Sequence, residues 1–296
     1  MKGLKLVQFK KDNNIRIGVK TDSGVLDLKE AAGKYELQVP ENMHDLILLR
    51  EDGLQAVNEV LQRAVNEGSK DNFLSEGELN FAPVITDPEK IICVGLNYIN
   101  HAKESKMDIP TSPILFSKFN NALAAHGEKV KIPQSAEQMD YEAELVLVIG
   151  KTAQNVSEEE ALSYVFGYSI GNDVSARDLQ FKTNQWLLGK SPDGFAPIGP
   201  YLVTSDEIDP NNLTVECRIN GEVRQKGNTK DMIFNCAAII SYASKYMTLK
   251  PGDIIFTGTP DGVILGYEKE KQKWLQPGDE MVITIEPIGE LKNVLQ

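Results

Sequence analysis

A chain of 296 residues, 41% hydrophobic and 25% charged, has room for one large or two modest domains with a sizeable core. Its formal net charge of -12 argues against nucleic acid or an anionic membrane surface as the main partner. Cys93, Cys217 and Cys236 are too few and too scattered for a disulfide framework or a C-x-x-C zinc site. No run of 18 apolar residues predicts a membrane span, and Met1 to Lys10 hold too short an apolar run for a signal peptide, so a cytoplasmic protein without membrane insertion is expected.

Leu4 to Phe9, Ile15 to Lys20 and Val25 to Leu28 alternate apolar and polar residues between Asp-Asn-Asn and Asp-Ser-Gly turns, which predicts a short antiparallel meander. From Met43 to Asn66 the period becomes helical, with Leu54, Val57, Val60, Leu61, Ala64 and Val65 three and four residues apart and Gly68 as the stop. Residues 1–82 thus read as a small N-terminal α+β domain. The prolines between Phe81 and Pro88 mark a junction, and residues 88–296 read as a larger β-rich domain.

That domain opens with a strand over Lys90 to Val94. A helical turn over Asn97 to Glu104 follows, then extended segments at Pro113 to Phe116 and Lys129 to Pro133. Ser157 to Glu160 resembles a capping box before a helix from Ala161 to Val165. Phe166 to Val174 is a predicted strand, Asn220-Gly221 a hairpin turn, and Asn235 the cap of a helix reaching about Met247. Many short strands, Pro-Gly turns and few helices give the fold class: mostly β with short helices (α+β), as rolled or barrel-like sheets.

The stretch from Met139 to Gly150 organises the chemistry. Leu145 to Ile149 is a buried strand by its branched apolar composition. Glu142 and Glu144 precede it at i and i+2, on one face and roughly 7 Å apart along the chain. Alone, they are solvated acids at a strand end. Asp173, at the end of the next strand, changes that reading. Three carboxylates without His or Cys form a hard-oxygen set suited to Mg²⁺ or Mn²⁺ and poor for Zn²⁺. Acidic strand ends occur in any β protein, so the residues alone leave both readings open.

Five motifs stand in order along the chain: Asn97-Tyr98-x-x-His101-x-x-Glu104, Asp140-Tyr141-Glu142-Ala143-Glu144-Leu145, Asn172-Asp173-Val174-Ser175-Ala176-Arg177-Asp178, Gly189-Lys190-Ser191 and Thr257-Gly258-Thr259-Pro260. Together they resemble the ordered motifs of the fumarylacetoacetate hydrolase family. The resemblance spans about residues 88 to 290. It implies a β-roll or barrel catalytic domain, a homodimer, Mg²⁺ or Mn²⁺ held by Glu142, Glu144 and Asp173, and a small 2-oxo or β-diketo acid substrate. The H-x-x-E spacing resembles the branch of acylpyruvate hydrolases and oxaloacetate decarboxylases, in which this segment orders as a lid over substrate. Asn97 stands where the founding enzyme has a further metal-binding aspartate, which argues against fumarylacetoacetate itself.

The chemistry of the residues agrees with that implication. A divalent ion stabilises, as a Lewis acid, the enolate left when the C3–C4 bond of an oxaloacetate-like substrate breaks. Lys190 is the natural second cation, or else a plain loop lysine. Arg177 is a candidate carboxylate clamp, with Gln180 one turn on, and Thr259 a candidate holder of the substrate carboxylate. His101 and Glu104, at i and i+3 on one helical face, suit a general base and its orienting carboxylate. A surface His–Glu pair has the same spacing. His44 and His126 lie in non-catalytic contexts. The expected reaction is decarboxylation of oxaloacetate to pyruvate and CO₂. Its rivals are acylpyruvate hydrolysis, a dienedioate isomerase or decarboxylase, and a non-catalytic scaffold.

Overall fold

The computed structural model describes residues 3–68 and 73–296. The expected meander is present as β1 (Lys5–Lys11), β2 (Asn14–Thr21) and β3 (Gly24–Asp27). Asp12 and Asn13, both at positive φ, form the two-residue turn between β1 and β2, the geometry that matches strand twist in a hairpin. Helix α1 (Leu28–Lys34) follows, capped by Asp27. Helix α2 (Met43–Glu67) starts at the Asn42 cap and stops at a left-handed Gly68, with a kink at Arg50. Its buried stripe runs through Leu46, Val57, Val60 and Ala64, while Val65 faces outward. β4 (Phe73–Leu74) pairs with β3.

The remaining strands of the main sheet are β5 (Ile91–Gly95), β6 (Ile114–Lys118), β8 (Ala143–Ile149), β9 (Val165–Asn172), β10 (Tyr201–Thr204) and β13 (Ile254–Phe256). Their order is β4-β3-β2-β1-β10-β9-β8-β13-β5-β6. The N-terminal meander therefore continues the same sheet, through the antiparallel β1–β10 pair. The sheet is open, with β4 and β6 as its ends. A second sheet joins β7 (Lys129–Val130), β11 (Thr214–Ile219), β12 (Glu222–Asn228), β14 (Glu280–Ile285) and β15 (Gly289–Leu295) in the order β12-β11-β14-β15-β7. Asn220 and Gly221, both at positive φ, turn its β11–β12 hairpin as expected.

β8 explains the unbroken apolar run. Leu145, Leu147 and Ile149 belong to one core cluster and Val146 and Val148 to another, so both faces of the strand are covered. The short helices are α3 (Ile99–Glu104), α4 (Glu158–Ala161), α5 (Arg177–Gln180), α6 (Leu187–Lys190) and α7 (Cys236–Ser244). The helix expected over Ala161 to Val165 lies earlier. Its three glutamates form the first turn, where the helix dipole favours negative charge, and Val165 already belongs to β9. Ser157 makes no backbone cap bond and instead donates to Glu160 Oε2 at 3.3 Å. Asn235 caps α7 as expected, accepting from the Ala238 N–H, but the helix ends at Ser244.

Candidate metal and active site

The β8–β9 ladder assembles the acidic cluster. Ala143 faces Asn172 in register, and the Asp173 N–H donates to the Glu142 carbonyl at 2.9 Å. Two motifs thirty residues apart are thereby locked side by side. One oxygen from each of Glu142, Glu144 and Asp173 lies within 4.8 Å of the others, and all three residues are buried.

Cations surround two of these three acids. Lys190 Nζ, from the end of α6, lies 2.9 Å from Glu142 Oε2 and 2.8 Å from Asp173 Oδ2. Arg177 Nη2 lies 2.7 Å from Glu142 Oε1, while its Nε bonds Asp140 Oδ2 at 2.9 Å and its Nη1 donates to Gln180 Oε1 at 2.9 Å. Lys118 Nζ, at the end of β6, lies 2.5 Å from Asp173 Oδ1 and donates to the carbonyls of Val174 and Phe195. Burial disfavours the charged form of Glu142, but Lys190, Arg177 and His101 outweigh it and hold this carboxyl below the usual range. For Lys190, burial works against the ammonium, and Asp173 and Glu142 more than restore it. Burial pulls the Lys118 ammonium down despite Asp173.

Glu144 differs from its neighbours. Its Oε2 accepts the Gly258 N–H at 2.7 Å, and no ion pair reaches it among the described residues. Burial, then Asp173, then Glu142 push its carboxyl well above the usual range. Gly258 is required at this position: it has φ +99°, and a Cβ there would lie 2.7 Å from Asn97 Cβ. Asn97 itself is a structural clamp, bonding the Phe234 and Thr257 carbonyls and accepting the Phe234 N–H.

The charge count is then informative. Asp140, Glu142, Glu144 and Asp173 face Arg177, Lys118 and Lys190, so the cluster is one positive charge short when all are ionised. Asp173 Oδ1 is also buried without an aligned hydrogen bond, despite its close contact with Lys118. A buried carboxylate set that carries one surplus negative charge once Glu144 gives up its proton, with an unaligned acceptor on Asp173, fits a hard divalent cation that takes the place of that proton.

One cavity of about 460 Å³ opens onto this cluster. His101, Glu104, Glu142, Glu144 and Lys190 line it, as do Arg177, Gln180 and Thr259, whereas Asp173 stands behind the wall. His101 Nδ1 lies 2.9 Å from Glu104 Oε1, and Glu104 Oε2 accepts the Gly262 N–H at 3.0 Å. The pair is thus held facing the carboxylates rather than solvated. Two residues are placed differently from their expected uses. The Arg177 guanidinium is engaged by protein acids, and the Thr259 hydroxyl donates to the Ala143 carbonyl while accepting from Gln225. His126 lies apart, its Nδ1 accepting the Lys292 N–H.

Two residues of consequence carried no assigned role in the sequence. Lys118 ends strand β6 and is buried against Asp173. Asp140 bonds Arg177 and also accepts the N–H groups of Ile264 and Leu265, which fixes one lip of the cavity. Its place in the Asp140-Tyr141-Glu142 motif was the available signal.

Such a fold and acidic cavity define a class, and comparison with known proteins identifies it. Residues 90–296 match the family of the fumarylacetoacetate (FAA) hydrolase C-terminal domain, and the chain belongs to this family. A Xenopus laevis protein named oxaloacetate tautomerase fahd2, mitochondrial, is 40% identical over 297 residues, covering 98% of this chain and 89% of that one. A solved fumarylacetoacetate hydrolase from psychrophilic Exiguobacterium antarcticum aligns over 99% of both chains with a TM-score of 0.82 and 34% identity. The fumarylpyruvate hydrolase of Pseudomonas aeruginosa, solved in complex with Mn²⁺ and pyruvate, covers 71% of this chain and 90% of its own. Its TM-score is 0.65 and its identity 32%.

Proposed function

We propose that this protein is a Mg²⁺- or Mn²⁺-dependent enzyme that interconverts the enol and keto forms of oxaloacetate. The observation that carries the reading is a single cavity lined both by Glu142 and Glu144 of the acidic cluster and by the His101–Glu104 pair. Glu142, Glu144 and Asp173 would hold the ion, which when bound supplies Lewis-acid polarisation of a 2-oxo group.

The chain's own residues do the rest. With its Nδ1–H donated to Glu104, His101 keeps a lone pair on Nε2. That nitrogen takes a proton from C3, the C–H electron pair becomes the C2–C3 double bond, and the O2 oxygen gains the charge. Protonation of O2 gives the enol, and the reverse sequence gives the ketone. Lys190 holds Glu142 and Asp173 in place, and Arg177, tied by Asp140, orients Glu142 from the other side. Residues 1–82 act as a packing unit, and none of them lines the cavity among the described residues.

The decarboxylation expected from sequence passes through the same kind of enolate but needs no base at C3. A seated His–Glu pair therefore favours proton transfer, in keeping with the name of the Xenopus relative. The test uses enol-oxaloacetate with the Mn²⁺-loaded protein, following loss of enol absorbance and capturing pyruvate with lactate dehydrogenase. Accelerated ketonisation without added pyruvate is expected, and Glu142→Ala should lose both Mn²⁺ binding and the acceleration. Pyruvate release with unaccelerated ketonisation would return the assignment to decarboxylation, and no acceleration of either would end it.

A further inference from the structure

We infer that Lys106 reads the distal carboxylate of the substrate and makes the cavity selective for 2-oxo dicarboxylates, an inference that rests on the function proposed above. The first observation is conformational. Helix α3 ends in a Schellman motif, with the Met107 N–H donating to the Ala102 carbonyl and the Lys106 N–H to the Lys103 carbonyl, both at 3.1 Å. This motif places the residue after the cap in the left-handed region, which glycine enters without steric cost. Here that residue is Lys106, at φ +54°, where a Cβ crowds the following carbonyl. Stability of the helix end alone would select glycine. A cation near a helix C-terminus does gain from the dipole, but His101 and Lys103 already occupy the last turn and need no left-handed backbone.

The second observation is where that side chain stands. Ser105, Lys106 and Met107 line the same cavity as Glu142 and Lys190, and Ser105 Oγ is buried without a hydrogen-bond partner. The cations of the cavity floor are committed: Arg177 to Asp140 and Glu142, Lys190 to Glu142 and Asp173. Of the acids at the lips, Glu104 is bound to His101 and Gly262, and Glu268 is paired with Lys271. Among the described lining residues, the cations left without an acidic partner are Lys106 and, on the other lip, Lys269. Only Lys106 is held there against its backbone preference, beside an unused hydroxyl. A 2-oxo acid with its head on the floor presents its far end to this lip, and a carboxylate there meets an uncommitted ammonium.

The test compares enol-oxaloacetate with the enol of acetylpyruvate, which keeps the 2-oxo acid head and replaces the distal carboxylate by an acetyl group. In Lys106→Gly, kcat/KM for oxaloacetate should fall about tenfold, mainly through KM, while that for acetylpyruvate is unchanged and the Tm holds or rises. Lys106→Arg should retain the preference, and Lys269→Ala should leave it largely intact. Equal losses on both substrates, no loss on either, a clear fall in Tm, or an equal effect of Lys269→Ala would each overturn the inference. If the wild-type protein turns over neither substrate, the proposed reaction fails, and calorimetric binding of oxalate and 3,3-difluoro-oxaloacetate then decides about Lys106. About tenfold weaker binding of the second ligand alone in Lys106→Gly supports its role, and any other pattern, including no binding by wild type, refutes it.

Discussion

Replacing Lys190 by methionine should weaken the metal-free protein and at the same time tighten its grip on a divalent ion. The change removes an ammonium lying 2.9 Å from Glu142 Oε2 and 2.8 Å from Asp173 Oδ2, from a side chain only 2% exposed. Methionine fills similar space with an adaptable apolar chain. Breaking a buried pair by deleting one partner costs roughly 3–5 kcal/mol, because the remaining charge is uncompensated. At about 2–4 °C per kcal/mol for a chain of this size, the metal-free variant should melt roughly 6–20 °C lower. A divalent cation among the same carboxylates replaces the missing charge, so much of this loss should vanish in the loaded protein. By linkage, the recovered part reappears as affinity. Recovery of about 2 kcal/mol corresponds to a Kd lowered about thirtyfold. Calorimetric melts in EDTA and in Mn²⁺, with a Mn²⁺ titration of each protein, read both quantities. Equal or weaker Mn²⁺ binding, with no selective loss of metal-free stability, would refute the claim that Lys190 and the ion share these oxygens.

Three further outcomes follow from the same geometry. Burial and the neighbouring Asp173 and Glu142 raise the Glu144 carboxyl above its ordinary 4.5, so the metal-free folded state holds a proton that the unfolded chain releases. Its stability should therefore fall as pH rises through that window, while Mn²⁺ affinity rises with proton release. Titrations in two buffers of different ionisation enthalpy that showed no proton release would sink this. His101→Ala should slow ketonisation at least about a hundredfold while Mn²⁺ affinity stays within about twofold, and a parallel loss of metal would make the residue structural. In Gly266→Ala, the new Cβ would lie 2.4 Å from Glu104 Cδ, costing about 1–3 kcal/mol by overpacking and slowing ketonisation without loss of Mn²⁺. An unchanged rate would show that the Glu104 position does not matter.

Much of this site was legible because its parts are strand ends. The period-2 rule put Glu142 and Glu144 on one face, and the apolar run after them read as a buried strand, which the structure covers on both faces by placing Leu145 and Val146 in two different cores. Asp173 could be named as a strand end, although its place opposite Glu142 depends on register, which no local pattern states. Lys118 was hidden for a related reason. A lysine after Ile-Leu-Phe-Ser looks solvated until a distant strand brings an aspartate over it. The engagement of Arg177 by Asp140 was hidden too, because residue type shows that a guanidinium is present and not which acid takes it. Helix ends were legible where one residue type marks them, as at the Asn235 cap and the Gly68 stop. They were not at Ser157, whose hydroxyl turns to Glu160.

Floor and lips of the cavity are stabilised by different interactions, and this separates metal binding from choice of reaction. The floor depends on the β8–β9 register and on three buried cations, so a substitution there disturbs the carboxylates directly. The lips are hung from two carboxylates: Asp140, which accepts from Ile264 and Leu265, and Glu104, which joins His101 to Gly262. Glu104 belongs to both the lip and the proton-handling pair, so seating this lip also sets the orientation of His101. On the function proposed above, enolate stabilisation would be a property of the floor, common to tautomerisation, decarboxylation and C–C hydrolysis. Under that proposal, which of them proceeds would depend on how the lip places His101 Nε2 relative to C3 and on which distal group the inferred Lys106 contact accepts.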